Sequence, residues 1–523
     1  MLKWIAVILT AAAVAQTAPA PVPQFADPSR REKLATAFDD IDRLFAEFAR
    51  SGHVPGAAWG IVIDGELAHS GAFGVRDVKA NAPVDANTVF RIASMTKSFT
   101  AMAILKLRDA GKLSLDDPAE RYVKELRGLR YPSSDSPLIT IRHLLTHSEG
   151  FPEDNPWGDQ QLSETDQRFS QMMQRGIPFS NAPGVAYEYS NYGFAILGRI
   201  VSEVSRQPYD HYITENILAP LGMSSTTLHP SKVPPNRLAI GYRWEDERWK
   251  EEPALPHGSF GAMGGMLTTI RDLSRYVGAL IAAFPPRDGP EAGPIGRASL
   301  REMQQPWRPS AMRAAFDSAS QSITLNSGSY AYGLSVTQSC DYRAMIAHGG
   351  GLPGYGSTMR WLPDEGVGII AFGNLTYTGW GRVANEAFDR LAKTGGLQRR
   401  QAVPSADLVA AQKAVSQLII RWDDALADKI AAENLFLDRS KDRRRKELAG
   451  LVSTVGACSP PDRFDVVENA LRGSWTLNCE RGKLQAVITL APTMPPTVQL
   501  LAVRVAPASM IPATTCALTG ANR

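Results

Sequence analysis

Three short clusters in this chain of 523 residues bring together side chains that can do chemistry. In the first, Ser94 and Lys97 stand three apart within Phe90-Arg91-Ile92-Ala93-Ser94-Met95-Thr96-Lys97, where a helical run begins. That spacing puts both on one helix face, so the amine reaches the hydroxyl. The partial positive charge at a helix N-terminus stabilises an oxyanion and disfavours a second cation, and desolvation adds to this. The pair therefore predicts a serine nucleophile beside a lysine whose pKa is drawn down toward that of a base. A chain of this composition contains about one Ser-x-x-Lys by chance, and the plain alternative is an N-capping Ser94 with Lys97 in water.

The second cluster is Tyr189-Ser190-Asn191, inside Tyr187-Glu188-Tyr189-Ser190-Asn191-Tyr192-Gly193. A phenol held beside an ammonium is expected as phenolate, and it then passes protons between nucleophile and leaving group. Asn191 is placed to hold the lysine and to orient a substrate carbonyl. Taken alone, the cluster reads as a loop with surface aromatics. The third is His348-Gly349-Gly350-Gly351, directly after an apolar run of strand type. A strand edge free of side chains lets a substrate lie against the backbone, where an exposed N–H can donate to a developing oxyanion. The same run matches G-x-G-x-x-G from Gly349 to Gly354, but Pro353 and the strand-type residues beyond it deny a phosphate the helix it needs. His143 and His147 are spaced four apart, as a zinc pair would be on a helix. Leu144 stands where the usual motif needs glutamate, and a structural role for the pair is expected, with no metal.

The elements that must position these clusters follow from periodicity. Leu34, Phe38, Ile41, Leu44 and Phe45 predict one amphipathic helix over 30–51. Strands are expected over 57–63 and 67–73, joined by an Asp64-Gly65 turn, and a helix over 94–110. Residues 114–275 mix short helices with Pro and Gly punctuation. Strand-type runs return at 331–336, 344–347, 357–362 and 367–372, before a helix over 379–392. Strands at both ends with helices between predict an antiparallel sheet built from distant segments and flanked by helices. Residues 396–404 read as a linker, and 405–523 as a smaller C-terminal α+β domain with helical character to about 451 and strands at 484–490 and 498–505.

A hydrophobic fraction of 44% with 21% charged residues is that of a globular protein, and a net charge of +3 gives no electrostatic case for nucleic acid. Residues 1–20 carry Lys3, an apolar stretch from Trp4 to Ala15 and small residues around Ala18 and Ala20. They read as a cleavable signal peptide, too short to span a bilayer, which points to an exported protein, periplasmic or secreted. In such a compartment one disulfide among Cys458, Cys479 and Cys516 is expected, with the pairing open.

The order Ser-x-x-Lys, Tyr-x-Asn, His-x-Gly resembles the serine β-lactamase and penicillin-binding-protein superfamily, in its class C-like branch with DD-peptidases, esterases and D-aminopeptidases. Leu113-Ser114-Leu115-Asp116-Asp117-Pro118, Ile141 to His147, Pro220-Leu221-Gly222-Met223 and Gly264-Gly265-Met266-Leu267 resemble that branch too, and the likeness covers residues 30–395. It implies an α/β (α+β) fold, with an antiparallel sheet flanked by helices and an all-helical subdomain. It implies Ser94 as nucleophile, Lys97 as its activator, and Tyr189 as general base and then acid. Asn191 would support Lys97 and the substrate amide, with the N–H groups of Ser94 and Gly351 forming an oxyanion hole beside His348 and Gly350. No cofactor is implied, and the substrate would be a small molecule or peptide. Many relatives have Lys-Thr-Gly at the third motif, and some follow it with Ser or Thr to bind a carboxylate. This chain has His348-Gly349-Gly350 and then Gly351, so a small ester, a small amide or a D-amino-acid peptide is expected ahead of a β-lactam or D-Ala-D-Ala substrate. A protonated His348 would still attract a carboxylate. Alternatives are a non-turnover penicillin-binding receptor, and a C-terminal domain that contacts the cell wall.

Overall fold

The computed structural model describes residues 21–317, 322–506 and the short strand Leu518–Thr519. The leader of residues 1–20 and Cys516 lie outside the described residues. Two compact units are present, one of Asp27–Arg399 and one formed by the described residues 400–506 with 21–26.

The first unit is organised by an antiparallel sheet. Its strands are β1 (Gly56–Ile63), β2 (Glu66–Asp77), β3 (Ala82–Pro83), β4 (Arg308–Asp317), β5 (Ser322–Tyr330), β6 (Ser335–Ser339), β7 (Met345–Leu352), β8 (Tyr355–Leu362) and β9 (Val367–Gly373). They lie in the order β5-β6-β7-β8-β9-β1-β2-β3, with β4 paired to β5. Strand β1 is buried along its whole length because both faces are covered. Ala57, Trp59, Ile61 and Ile63 alternate into one core, and Ala58 and Val62 into the other. Asp64 and Gly65, at φ 54° and 89°, turn β1 into β2 as the sequence predicts.

Helix α1 (Phe38–Ser51) covers the first face with Ile41, Phe45 and Ala49, four residues apart. Phe45 stacks on Trp59 at 5.4 Å and on Trp380 at 6.0 Å. The expected single helix over 30–51 is broken, and Arg30–Ala35 forms a separate helix. The buried Arg30 guanidinium pairs with Asp64 at 2.9 Å, tying that first piece to the β1–β2 turn rather than to the line of α1.

Helix α2 (Thr96–Asp109) follows the Ser94 turn and is buried from Thr96 to Leu105, between the sheet and the helical layer. Its polar side chains are satisfied there. Thr96 Oγ1 donates to Ala93 O at 2.7 Å, and Thr100 Oγ1 donates to Ala262 O at 2.7 Å. The helical layer includes α3 (Ile141–Leu145), α4 (Asp166–Gln174) and α5 (Asn191–Ser205). On the sheet side, α6 (Ile270–Ala282) packs on β1, and Ile270 occupies the space that a side chain at Gly60 would need.

The strand expected over 331–336 begins only at Ser335, since Ala331 to Leu334 form a tight turn with Gly333 at φ 66°. Their apolar side chains are buried at a bend, which periodicity does not separate from a strand. The second unit has helices Ala406–Ile420, Asp424–Ile430 and Lys441–Val455 and a four-stranded antiparallel meander ending at Val498–Val505. Its own core includes Leu408, Val415, Trp475, Leu484 and Ile488, and Cys458 is bonded to Cys479.

Asn374 ties the centre of the sheet to its surroundings. Its side chain is fully buried, accepts from Gly56 N at 2.7 Å and donates to Ile240 O at 3.0 Å and Val75 O at 3.2 Å. Asn374→Ala is therefore expected to destabilise the protein by about 3 kcal/mol, because one buried and two partly buried backbone groups lose this partner. Urea unfolding followed by tryptophan fluorescence checks it, and an unchanged midpoint would remove Asn374 from this role.

Candidate active site

Ser94 sits in the one-turn helix Ala93–Met95 at the start of α2. Ala93, just before it, has φ 49°, a left-handed conformation that an L side chain adopts at a cost. The turn is held from two sides. Ile92 N donates to Met266 O at 3.0 Å, and Ser357 Oγ on β8 donates to Ile92 O at 2.8 Å.

Lys97 is completely buried. Its Nζ lies 3.1 Å from Ser94 Oγ, 2.6 Å from Asn191 Oδ1 and 2.9 Å from Met263 O. Burial draws its pKa down from 10.5 to about 7, against the pull of Asp159 and Asp154. A neutral amine has two N–H groups and one lone pair. With two carbonyl oxygens taking the N–H groups, the lone pair is left for the Ser94 hydroxyl.

Asn191 opens α5, and that helix start is built to hold it. Asp154 accepts from Asn191 N at 2.6 Å and Tyr192 N at 2.8 Å, while Ser190 Oγ caps Gly193 N at 3.0 Å. Asn191 Nδ2 donates to Asn155 Oδ1 at 3.2 Å. Tyr189 is half-buried at the cavity wall and shares a hydrogen bond with Ser94. Lys97 Nζ stands over its ring, 4.7 Å from the centroid, rather than at its oxygen. The expected phenolate is therefore corrected. Burial pushes the phenol well above 10, and Tyr189 is a neutral hydroxyl at neutral pH.

His348 departs from expectation too. Its Nδ1 donates to Gly349 O at 2.6 Å, which leaves Nε2 to accept from the Tyr330 hydroxyl at 2.9 Å. Burial and the nearby Lys97 lower its pKa to about 3. A protonated His348 attracting a carboxylate is not what this environment supports.

The glycines after it work through the backbone. Strand β6 pairs with β7 only from Met345 to Ala347, and Ala347 O faces it, accepting from Ser335 Oγ at 2.8 Å. Alternate residues of a strand address the same edge, so Gly349 and Gly351 present their backbone groups beyond the end of β6. Gly350 faces β8, and a Cβ there would lie 2.2 Å from Ile92 O and 2.3 Å from Ser357 Oγ. Glycine at 350 is thus what lets the strand approach the nucleophile turn. The run Gly349 to Gly354 is a hairpin, since Leu352 pairs with Tyr355 across Pro353-Gly354.

A cavity of about 490 Å³ opens over these groups, lined by Ser94, Tyr189, His348 and Gly349 to Gly351, with Asn155, Pro156, Asp159 and Tyr377. All seven residues singled out from the sequence meet here: Ser94, Tyr189, His348, Gly350 and Gly351 line the cavity, and Lys97 lies beneath it, held by Asn191. Sequence reasoning missed Asp154, Asn155, Asp159, Tyr330 and Tyr377, which sit in short helical turns, in a turn or at the end of a strand, without a distinctive pattern. The histidine pair is split. His143 Nδ1 accepts from Thr140 N in the cap of α3, whereas His147 lies beyond that helix at φ 51°, its ring 4.3 Å from that of Tyr189. Ser190 N donates to His147 Nδ1 at 3.0 Å, so this histidine sets the backbone of the Tyr-Ser-Asn motif.

Comparison with known proteins agrees with this geometry. A protein named flp from Staphylococcus aureus strain MW2 is 30% identical over 243 residues, 45% of this chain and 47% of that protein, so the chain spans about half the length of that relative. A beta-lactamase from Lysobacter lactamgenus is 28% identical over 358 residues, 66% of this chain and 88% of that protein. The octameric penicillin-binding protein homologue from Pyrococcus abyssi superposes with a TM-score of 0.57 at 26% identity, over 72% of this chain and 81% of that one. A class C beta lactamase shares the fold with a TM-score of 0.54 at 20% identity, over 71% of this chain and 100% of its own. The Beta-lactamase family model matches residues 41–394, nearly all of the first unit, and the chain belongs to that family of serine hydrolase fold.

Proposed function

We propose that the first unit hydrolyses an ester or small amide through an acyl-enzyme on Ser94. The observation that carries the reading is the buried Lys97 amine 3.1 Å from Ser94 Oγ, with its pKa drawn down to about 7. Neutral Lys97 takes the Ser94 proton as Oγ attacks the carbonyl carbon. The N–H groups of Ser94 and Gly351 receive the oxyanion, a contribution of about 3 kcal/mol for each donor. The C–O or C–N bond then breaks, and the departing atom takes a proton from the pair formed by the Lys97 ammonium and the Tyr189 hydroxyl. Water repeats the sequence against the acyl-enzyme and returns the proton to Ser94.

An ester or amide without a carboxylate beside the scissile bond is favoured over a β-lactam or a D-Ala-D-Ala peptide. Support comes from the lining, where His348 is neutral and Gly351 offers no hydroxyl. No lysine or arginine is among the residues that line the cavity. An acylated receptor that does not turn over is the competing outcome, separated by whether a burst is followed by steady product release.

Ser94→Ala is expected to abolish labelling by a fluorophosphonate, with mass spectrometry of the intact protein as readout; labelling that persists would refute the assignment. Acylation should need neutral Lys97. Since its pKa is lowered, the base form gains population as pH rises through about 7, so kcat/KM should climb between roughly pH 6 and pH 8 and then level. A profile flat across that interval would take Lys97 out of the role of base. Tyr189→Phe should slow acylation about 100-fold with little change in KM, as removal of an acid to the leaving group does.

A further inference from the structure

Asp159 is an acid in a place where a surface carboxylate has no reason to be. It is 3% exposed, lines the cavity over Ser94, and its Oδ2 accepts from the Tyr377 hydroxyl at 3.1 Å. Oδ1 is shielded from solvent and meets no hydrogen-bond donor among the described residues. A buried carboxylate oxygen without a donor costs more than about 1 kcal/mol, so such an atom calls for an explanation, and a ligand that supplies the donor is one. Tyr377 is itself held under strain, at φ 53°, with its ring against Gly351, where a Cβ would lie 2.7 Å from Cδ1. Gly351 is thus what makes room for the tyrosine that braces the acid.

The charge around the cavity points the same way. Asp159 is the one acidic side chain in the lining, and no cationic side chain accompanies it. Lys97 lies at the floor and loses its charge near neutral pH, while burial raises Asp159 to about 6. Above neutral pH the floor is therefore uncharged and the wall is anionic. Glu153 and Asp154 add negative field from the same loop. A pocket of this sign repels a carboxylate and attracts an ammonium.

We propose that Asp159 is a specificity residue that binds a protonated amine of the substrate, so that the preferred substrates are esters or amides carrying a free amino group. The inference rests on the acyl-enzyme reading above and deepens it. The amine donates to Asp159 while Ser94 attacks a carbonyl elsewhere in the same molecule.

The test uses the full chain and p-nitrophenyl esters of D-alanine, β-alanine and 4-aminobutyrate, each with a free and with an N-acetylated amine. For at least one spacer length, kcat/KM at pH 7.5 is expected to favour the free amine by about tenfold or more, the attraction of one partly buried ion pair. Asp159→Asn should bring that ratio below about threefold, and Asp159→Glu, which keeps the charge, should retain part of it. The ratio should also fall as pH drops through about 6, where Asp159 gains a proton opposite Lys97, Tyr377, Asp154 and Glu153. No free-amine preference at any spacer length overturns the proposal, as does a preference that Asp159→Asn leaves intact. Failure of the parent reading looks different, because then no ester adds an acyl mass to Ser94.

Discussion

A lysine amine without access to water is the constraint around which the first unit is arranged. An ammonium in that position is costly, and the protein meets the cost by lowering the charge rather than by pairing it directly with a carboxylate. Two carbonyl oxygens, from Asn191 and Met263, take its N–H groups, and they come from separate elements of the helical layer. The third direction is left for Ser94. Had a carboxylate replaced either carbonyl, Lys97 would stay protonated and the base would be lost. Thus Asp154 sits one step away, on the backbone at the start of α5, fixing Asn191 without quenching the amine.

The sheet supplies the opposite wall by giving up side chains. Edge pairing on β7 stops at Ala347, and the three glycines that follow are a strand still held by β8 on one side and open on the other. Each glycine answers a different demand. Gly350 allows β7 to touch the turn before Ser94, Gly351 leaves space for Tyr377, and Gly349 accepts the proton of His348 Nδ1 on its carbonyl. That last bond fixes the tautomer, and with it the direction in which Tyr330 donates. A histidine at the head of this strand therefore serves as a neutral joint between aromatic residues rather than as a cation.

Two expectations about charge failed for one reason. The phenolate at Tyr189 follows from a neighbouring ammonium assumed to act on the phenol oxygen, and the carboxylate-attracting His348 from the ordinary titration range of an imidazole in water. In the folded site Lys97 faces the Tyr189 ring, Tyr189 packs against His147, Tyr330 and His348, and His348 packs against Tyr330. Desolvation then dominates and drives each group to its neutral form. Charge in the cavity is concentrated instead at Asp159, in a Pro-containing pair of short helical turns whose composition is that of a solvated surface.

From the amino-acid order alone came the family-bearing motifs, the sheet split between the two ends of the first unit, the β1–β2 turn and the separate C-terminal unit. Each rests on local spacing: three residues along a helix, two along a strand, or an Asp-Gly pair where φ must be positive. The β4–β5 pair went unread because the described side chains of β4 are mostly exposed and lack the alternation of a half-buried strand, and the helix break near Thr36 because the Arg30–Asp64 pair spans distant segments. Tertiary structure alone decided which groups are ionised, which backbone edge is open, and that Asp159 and Tyr377, 218 residues apart, meet over the nucleophile. Ionisation depends on how much solvent every neighbouring element removes, and no short stretch of sequence contains that quantity.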